Sequence, residues 1–213
     1  MTKVPYKAKN FERLLGTPGF SDKLLKNHFK LYEGYVTNTN EILSNVAQAS
    51  RSEKHRDPRT SELRRRFGWE FNGMRLHEYY FDNLSKDVEK QSALFPRGTA
   101  LAKKIGESFF SFDNWKKDFT EMGAMRGIGW VALVHDRVED RLLNVWVNEH
   151  DNGHLAGTDV LLIMDVFEHA FLTDYGLEKG KYIAAFWNAI RWSEVQRRFE
   201  NMKEELLCFG PSQ

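Results

Sequence analysis

The chain has 213 residues and a formal net charge of +1, and 41% of its residues are hydrophobic. This length suits one large domain or two small ones. A nearly balanced charge gives no basis for a nucleic-acid partner or a membrane-surface partner. The basic run Arg64-Arg65-Arg66 has acidic residues around it, which indicates a solvated helix face.

Cysteine is rare and no long apolar segment is present. Cys208 is the single cysteine, which excludes a disulfide within the chain and a metal site with several cysteine ligands. The first residues contain no apolar run of signal-peptide length, and no stretch approaches the roughly 18 apolar residues of a membrane span. We therefore expect a cytoplasmic protein without a membrane partner.

Two long helices are predicted in the first half of the chain. Ser21 is a candidate N-cap, and an apolar pattern with helical spacing follows it to about residue 49. Residues 51–60 are polar and charged and predict a loop. A second helical pattern covers residues 63–84. Two long helices joined by a polar loop indicate a helical hairpin.

The second half predicts a mixture of helices and strands. The segment Phe95-Pro96-Arg97-Gly98 indicates a boundary, and shorter helices are predicted near residues 99–107 and 112–122. Residues 127–135, 142–147 and 160–165 are apolar and β-branched and predict three strands, with a turn at residues 137–140. From Glu168 onward the pattern is helical again. The predicted fold class is α+β: a long helical hairpin over residues 1–97, then an α+β domain over residues 98–213 with a three-stranded antiparallel sheet.

Asp165 and His169 form the most informative local pair. Asp165 ends a predicted strand and His169 follows four residues later, so both side chains can converge on one cation where the strand passes into a helix. Carboxylate and imidazole together suit iron, manganese or zinc. Taken alone, the pair is better explained by an aspartate that caps a helix beside a packed histidine.

His28 and His77 make a metal site the better explanation of this pair. Each lies in the apolar stripe of one predicted long helix. Two facing helices that each point a histidine inward are a recurrent way to build a metal site. A metal site accounts for these two histidines together with Asp165 and His169, whereas the alternative needs a separate reason for each residue.

The remaining histidines carry less information. His150 and His154 follow a strand in a polar loop and form a second candidate metal-binding pair. His55 and His135 lie among charged residues, which predicts surface positions. The sequence contains no glycine-rich phosphate loop after a strand and no Gly-x-Ser-x-Gly motif, so neither nucleotide binding nor serine-hydrolase chemistry is indicated.

Several segments over residues 4–207 resemble, in order, those of iron/manganese superoxide dismutases. The family signature Asp-x-Trp-Glu-His-Ala-Tyr is similar to Asp165-Val-Phe-Glu-His-Ala-Phe171. Gly127-Ile-Gly-Trp130 resembles the Gly-x-Gly-Trp of the family's first strand. Tyr35-Val-Thr-Asn-Thr-Asn40 resembles a first-helix motif, and Asn72-Gly73 with His77-Glu-Tyr-Tyr-Phe81 resembles the ligand motif of the second helix.

This resemblance implies a ligand set and an activity. His28, His77, Asp165 and His169 would bind one iron ion, or alternatively one manganese ion, in each subunit. The protein would then be an antioxidant oxidoreductase, a superoxide dismutase. Its activity would convert superoxide to O₂ and H₂O₂ by alternating reduction and oxidation of that metal.

The resemblance also implies roles for residues beside the metal. Tyr35 resembles the family's gateway tyrosine. His150 resembles the histidine that replaces an active-site glutamine in some members, where it donates to the solvent molecule on the metal. The apolar wall of the site would consist of Phe81, Trp130, Phe167 and Trp187. Glu168 would bond to His169 of a second subunit, which implies a homodimer.

The chain departs from the family pattern at several places, including Arg191, which replaces an asparagine. The family's gateway tyrosine follows the first ligand by eight residues, but His28 and Tyr35 are seven apart and Tyr32 replaces a second histidine. Seven residues make two helical turns, so both side chains still share a face, and we expect this helix to lack a local bulge. Leu172 replaces a tyrosine that meets the missing histidine across the dimer, and Phe167 replaces the signature tryptophan.

Two other readings remain open at the level of sequence. A non-catalytic member of the same fold could serve as a metal-binding or structural subunit. A different metalloenzyme, such as an iron oxygenase or a zinc hydrolase, would use the same kinds of ligand.

Overall fold

The computed structural model of the protein describes residues 5–52, 57–87 and 98–208. Two long helices come first: α1 spans Asp22–Arg51 and α2 spans Pro58–Asp82. They pack against each other, which confirms the predicted hairpin. The side chain of Ser21 accepts a hydrogen bond from the amide of Leu24 and caps α1. This arrangement satisfies one of the amides that the first turn of a helix leaves without a partner.

The second helix begins earlier than the sequence pattern predicts. Asp57 caps it by accepting from the amide of Thr60, and Pro58 occupies the first turn. The predicted loop over residues 51–60 is therefore wrong at both ends, since α1 runs to Arg51 and α2 starts at Pro58. An aspartate followed by proline is a strong helix start because proline has the backbone angle that the first turn needs.

Within residues 98–208, the structure has two short helices, a sheet and three further helices. They are α3 (Ala100–Phe109), α4 (Phe112–Ala124), β1 (Gly129–Asp136), β2 (Arg141–Asn148), β3 (Thr158–Asp165), α5 (Leu172–Tyr175), α6 (Lys179–Ala189) and α7 (Trp192–Cys208). Short 3₁₀ turns at Glu12–Leu14 and Glu168–Ala170 precede α1 and α5. All three predicted strands are confirmed. The boundary predicted at residues 95–97 lies outside the described residues.

The sheet has the strand order β2-β1-β3, and both pairs are antiparallel. In this register Trp130 lies opposite Asp165 on one side and opposite Val147 on the other. Gly129 begins β1 with φ +146°, and a Cβ atom there would collide with the backbone oxygen of Val147. Only glycine fits this close approach, which places Trp130 beside the end of β3.

Asn83 joins the helical hairpin to the sheet. Its buried side chain donates to the backbone oxygens of Tyr80 and Ile163 and accepts from the amide of Ile163. The backbone oxygen of Asn83 accepts from the amide of Arg191, between α6 and α7. These bonds fix the end of α2 against β3 and thereby fix the position of the helical hairpin relative to the sheet.

One hydrophobic core cluster contains residues of both halves, from Phe11 to Met202. The division of the chain at residue 97 stays a prediction. In the part of the chain that the structure describes, no helix combines the length and the apolar composition needed to cross a bilayer.

Candidate metal centre

The four predicted ligands come together at one buried point. His28 lies on α1, His77 on α2, Asp165 at the end of β3, and His169 in the 3₁₀ turn that follows. One potential ligand atom from each side chain lies within 4.8 Å of the others. Oδ2 of Asp165 is 3.1 Å from Nε2 of His28, 3.1 Å from Nε2 of His169 and 3.7 Å from Nε2 of His77. Such convergence is what a single cation requires.

Backbone geometry fixes the tautomer of His77. Its Nδ1 donates to the backbone oxygen of Gly73 at 2.5 Å, so Nε2 carries the lone pair. That Nε2 is buried and has no hydrogen-bond partner within the described structure, and the same holds for Nδ1 of His28. An unpartnered buried nitrogen is costly in a purely structural role. A metal-binding histidine usually donates its other N–H to a carbonyl, as His77 does.

The pKa shifts of Asp165, His28 and His77 favour the protonation states that bind a metal. Burial alone would raise the pKa of Asp165, but the charge of His169 and hydrogen bonds from His169 and His28 outweigh it and lower that pKa. Burial lowers the pKa of His28 and lowers that of His77 further, with the charge of His28 adding to the effect on His77. An ionised carboxylate and neutral imidazoles are the protonation states that bind a metal. The donor set therefore fits iron or manganese.

Further hydrogen bonds orient Asp165. Its Oδ1 accepts from the amide of Phe167 at 2.8 Å, and its backbone oxygen accepts from the hydroxyl of Tyr182 at 2.6 Å. The hydroxyl of Tyr182 lies 3.0 Å from that of Tyr80. These contacts leave Oδ2 as the oxygen that faces the three imidazoles.

Tyr35 lies beside the cluster, as the resemblance implied. Its ring centroid is 5.2 Å from that of His77. The ring covers Gly73, where an added Cβ would lie 2.6 Å from a carbon of the Tyr35 ring. Gly73 thus has two functions: its carbonyl orients His77, and its missing side chain admits Tyr35.

His150 has both ring nitrogens engaged. Nδ1 accepts from Nε1 of Trp130 at 3.0 Å, and Nε2 lies 2.7 Å from the hydroxyl oxygen of Tyr35. Burial lowers the pKa of His150 to about 4, so the ring is neutral at pH 7. Because Nδ1 accepts, Nε2 carries the proton and donates to Tyr35. The Tyr35 hydroxyl proton is then free to be donated elsewhere.

Three of the four predicted wall residues line the cluster. Trp130 packs on His77 with ring centroids 4.9 Å apart, Phe81 on His28 at 4.9 Å, and Phe167 on His169 at 5.0 Å. The fourth, Trp187, packs one layer further away against Trp115 and Phe119. Phe167 also stacks on His150 at 4.6 Å, so the residue that replaces the signature tryptophan retains an aromatic contact.

Tyr32 takes the place of the family's second histidine with a different set of contacts. The helix α1 is α-helical without interruption over Asp22–Arg51, in agreement with the expected absence of a bulge. The buried hydroxyl of Tyr32 donates to Oε1 of Glu78 at 3.0 Å and accepts from the amide of Lys9. Oε2 of Glu78 accepts from Arg75 at 2.6 Å. This network joins α1 to α2 one residue away from His77.

One surface near the cluster is accessible and partly apolar. The side chain of His169 is 27% exposed, whereas those of His28, His77 and Asp165 are fully buried. Glu168 beside it is exposed, and Leu172 is 49% exposed. His169, the least buried of the four predicted ligands, therefore lies on the surface where the resemblance places a second subunit.

The other histidines do not form a metal site among the described residues. His154 directs Nε2 to the backbone oxygen of His150 at 2.8 Å, so this pair does not converge on a common point. The predicted surface position of His135 is wrong: it is buried in β1, and its Nε2 lies 2.8 Å from Asp140. β1 is the central strand and is buried along nearly its whole length, so His135 is buried although charged residues flank it in the sequence. His55 lies outside the described residues.

Two features of the site escaped the sequence analysis. The pair Tyr80 and Tyr182 is separated by 102 positions, and no local pattern relates them. Trp69 packs edge-on to His150 with ring centroids 4.9 Å apart. Its spacing of four residues from Gly73, and of eight from His77, is the signal for a shared face of α2 that could have identified it.

Comparisons with known proteins indicate the family of the chain. The sequence profile of "Iron/manganese superoxide dismutases, C-terminal domain" matches residues 96–198. The superoxide dismutase [Fe] of Pyrobaculum aerophilum is 30% identical over 82% of this chain and 81% of its own length. The superoxide dismutase [Mn] 2 of Haloferax volcanii is 31% identical over 88% of this chain and 90% of its own. The superoxide dismutase [Fe] of Sulfolobus acidocaldarius is 28% identical over 93% of this chain and 92% of its own.

Proposed function

Because this chain belongs to the iron/manganese superoxide dismutase family, we propose that it dismutes superoxide at one mononuclear metal ion. The ligands are His28, His77, Asp165 and His169, and the metal is iron, with manganese as the alternative. The observation that carries the proposal is the buried convergence of these four donors on one point.

The metal supplies one-electron chemistry: when bound, it cycles between trivalent and divalent states, so one superoxide loses an electron to give O₂ and a second gains an electron and two protons to give H₂O₂. The carboxylate of Asp165 offsets part of the positive charge at the centre, and its hydrogen bonds keep it there. The aromatic side chains of Phe81, Trp130 and Phe167 exclude bulk water, which strengthens the electrostatic interactions inside.

Tyr35 and His150 act as a unit in proton delivery. His150 donates through Nε2 to the oxygen of Tyr35, which directs the Tyr35 hydroxyl proton away from His150 and toward the substrate. Burial raises the pKa of Tyr35, so the phenol keeps its proton throughout the neutral range. His150 supports Tyr35 in this scheme because its own two nitrogens are both occupied.

A homodimer is part of the proposal. Glu168 is exposed next to the partly exposed His169, and Leu172 extends the same face. Glu168 would bond to His169 of the partner subunit, so each carboxylate would support the other subunit's metal centre. Sedimentation at micromolar concentration tests this assembly, and Glu168→Ala should shift the dimer toward the monomer.

The competing function is a metal-binding subunit of the same fold without activity. Its motivation is the loss of two polar residues of the family, where Tyr32 and Leu172 now stand. Tyr32 is buried in a hydrogen-bonded network between the helices, and Leu172 offers no proton. The Tyr35–His150 pair is intact, and this pair favours catalysis.

Metal analysis combined with superoxide consumption distinguishes the functions. We expect about one iron or manganese per subunit and rapid superoxide consumption in the purified chain. His77→Ala should lose both. His154→Ala is the matched control, because His154 is an exposed histidine outside the cluster.

Each outcome decides between the proposals. A metal-loaded protein that does not consume superoxide refutes dismutation and leaves the non-catalytic function. Zinc in place of iron or manganese, with hydrolytic activity, points to a different metalloenzyme. Unchanged metal content in His77→Ala contradicts the ligand assignment.

A further inference from the structure

Arg66 holds a defined position near Tyr35 and His150, the proton-delivery pair. It is the last residue of the basic run Arg64-Arg65-Arg66, yet its environment differs from that of a solvated lysine or arginine. Its guanidinium carbon lies 4.6 Å from the ring centroid of Trp69. Trp69 in turn packs on His150. A stacked guanidinium is a common cation–π arrangement and restricts where the charge can lie.

A buried carboxylate fixes the direction of this charge. Nε of Arg66 donates to Oε1 of Glu70 at 2.9 Å, and Oε2 of Glu70 accepts from Asn38 on α1. Glu70 is 4% exposed, whereas the side chain of Arg66 is 51% exposed. The negative end of the pair therefore lies inside and the positive end faces solvent. Among the described residues, the two Nη atoms of Arg66 have no acceptor, so they are available to an anion.

The charge of Arg66 affects the pKa values of both His150 and Tyr35. It is one of the charges that lower the pKa of His150, after burial and alongside those of His169 and His154. It also acts on Tyr35, where it opposes the rise in pKa caused by burial, Asp165 and Glu70. Arg66 is thus the outermost residue of a contact series that continues through Trp69, His150 and Tyr35 to His77.

We propose that Arg66 guides a small monovalent anion, here superoxide, to the partly exposed side chain of Tyr35. This inference rests on the proposed function and adds to it the residue that directs the substrate. Arg66 does not reach the reacting atoms and is a positioning residue. Fixed charges at a cleft raise the association rate of an oppositely charged ligand, and salt screens that effect.

The first test needs no metal. Trp69 is half-buried, and of the other five tryptophans only Trp146 has comparable exposure, so fluorescence quenching is measured in a Trp146→Phe background. At about 0.01 M ionic strength, iodide should quench Arg66→Gln at least about twofold less than the parent, because the local anion concentration falls. Quenching by neutral acrylamide should stay the same. Trp69→Phe should remove the iodide-sensitive signal.

The second test uses the metal-loaded protein. Arg66→Gln should lower kcat/KM for superoxide about two- to fivefold at about 0.01 M ionic strength, and the difference should shrink above about 0.1 M. Arg65→Gln is the matched control: it lies one residue away, pairs with Glu62, and is 75% exposed. It removes the same charge and should change neither quenching nor rate.

Two further variants guard against structural effects. Arg66→Lys keeps the charge without the planar stack and should restore most of the rate. Arg66→Gln alone leaves the charge of Glu70 unopposed, so the double variant Arg66→Gln/Glu70→Gln, which removes both charges, should recover part of the loss and still fall below the parent. A double variant equal to the parent would assign the effect of Arg66→Gln to Glu70 and contradict guidance by the exposed charge of Arg66.

The outcomes separate this inference from the proposed function. If Arg66→Gln matches Arg65→Gln in both quenching and rate, or if Arg66→Lys is as impaired as Arg66→Gln, anion guidance by Arg66 is wrong. If the parent does not consume superoxide, the proposed function fails, and the iodide measurement still decides whether Arg66 attracts anions.

Discussion

Nε2 of His150 lies 2.7 Å from the hydroxyl oxygen of Tyr35, while Trp130 donates to the opposite nitrogen of the same ring. The tryptophan N–H can only donate, so it fixes which nitrogen of His150 carries the proton. The direction of the hydrogen bond to Tyr35 follows from this. A residue of β1 thereby sets the donor properties of a residue on α1.

Tyr35→Phe tests whether the hydroxyl contributes to turnover. The phenyl ring can still cover Gly73 and His77, so metal content should be unchanged. We expect kcat to fall by about a hundredfold, at the low end of the usual contribution of a positioned general acid. Pulse radiolysis normalised to metal per subunit measures it.

His150→Ala should reduce kcat in the same direction, and His150→Gln, which keeps an N–H donor, should reduce it less. Tyr79→Phe is the control because Tyr79 is 38% exposed and its hydroxyl makes no hydrogen bond within the described structure. If Tyr35→Phe turned over superoxide as fast as the parent, Tyr35 would have no part in proton delivery.

Gly73→Ala tests the close approach of α1 and α2. The new Cβ would lie 2.6–2.9 Å from three carbons of the Tyr35 ring. We expect a loss of about 1–3 kcal/mol in the free energy of unfolding, as for other overpacked sites, together with lower turnover. Gly68→Ala in the same helix is the control, because its Cβ would meet nothing within 4 Å.

Gly68→Ala should raise the free energy of unfolding by up to about 1 kcal/mol, since alanine favours the helix over glycine. Urea denaturation of both variants gives the comparison. A Gly73→Ala protein as stable and as active as the parent would show that Tyr35 moves away without cost.

Tyr32→Phe tests the network that replaces the family's second histidine. The carboxylate of Glu78 would lose one of its donors in a buried position. Hydrogen bonds to charged groups contribute about 1.5–3 kcal/mol, so we expect the free energy of unfolding to fall within that range. Turnover per bound metal should change little, because the Tyr35–His150 pair stays in place; a loss as large as that of Tyr35→Phe would instead place Tyr32 in proton delivery.

Glu194 should contribute to acid sensitivity. Burial alone would raise its pKa, but hydrogen bonds from Arg197 and Arg198 and their charges outweigh it and lower the pKa below the ordinary 4.5. A group with a lowered folded pKa stabilises the protein above its unfolded pKa, and this stability is lost as the pH falls through the folded value.

The difference in free energy of unfolding between the parent and Glu194→Gln should therefore be full near pH 7 and shrink below about pH 4.5. Glu200→Gln, an exposed site on the same helix, is the control and should show no such trend. Thermal unfolding over pH 3–7 measures both. A difference that does not change with pH would assign the effect of Glu194 to packing.

The sequence patterns predicted the elements better than the contacts between them. Ser21 predicted the start of α1, and apolar, β-branched segments predicted the strands, because capping and segment composition are local properties. His28 and His77 were accessible to the same reasoning because each lies in the apolar stripe of its helix, and Asp165 and His169 because they lie four residues apart at the end of a strand. The motifs around His77, Asp165 and His169 then resembled those of the family.

What the patterns missed depends on residues far apart in the chain. The pattern predicted helix from Glu168 onward but not its division into α5, α6 and α7, of which α5 ends at Gly176 with φ +53°. His135 is buried because its strand lies at the centre of the sheet. The Tyr32–Glu78 bond joins residues 46 positions apart, and neither local sequence contains a sign of it.

Three of the four ligands have side chains with no solvent exposure, and His169 provides the only accessible edge of the cluster within the described residues. An ion that arrives after folding must wait for local opening, and buried segments open far more rarely than loops or chain ends. Exchange of one metal for another should therefore be slow on the timescale of turnover. The metal found in the purified protein would then reflect the supply of ions while the chain was folding more than the relative affinities of the finished site.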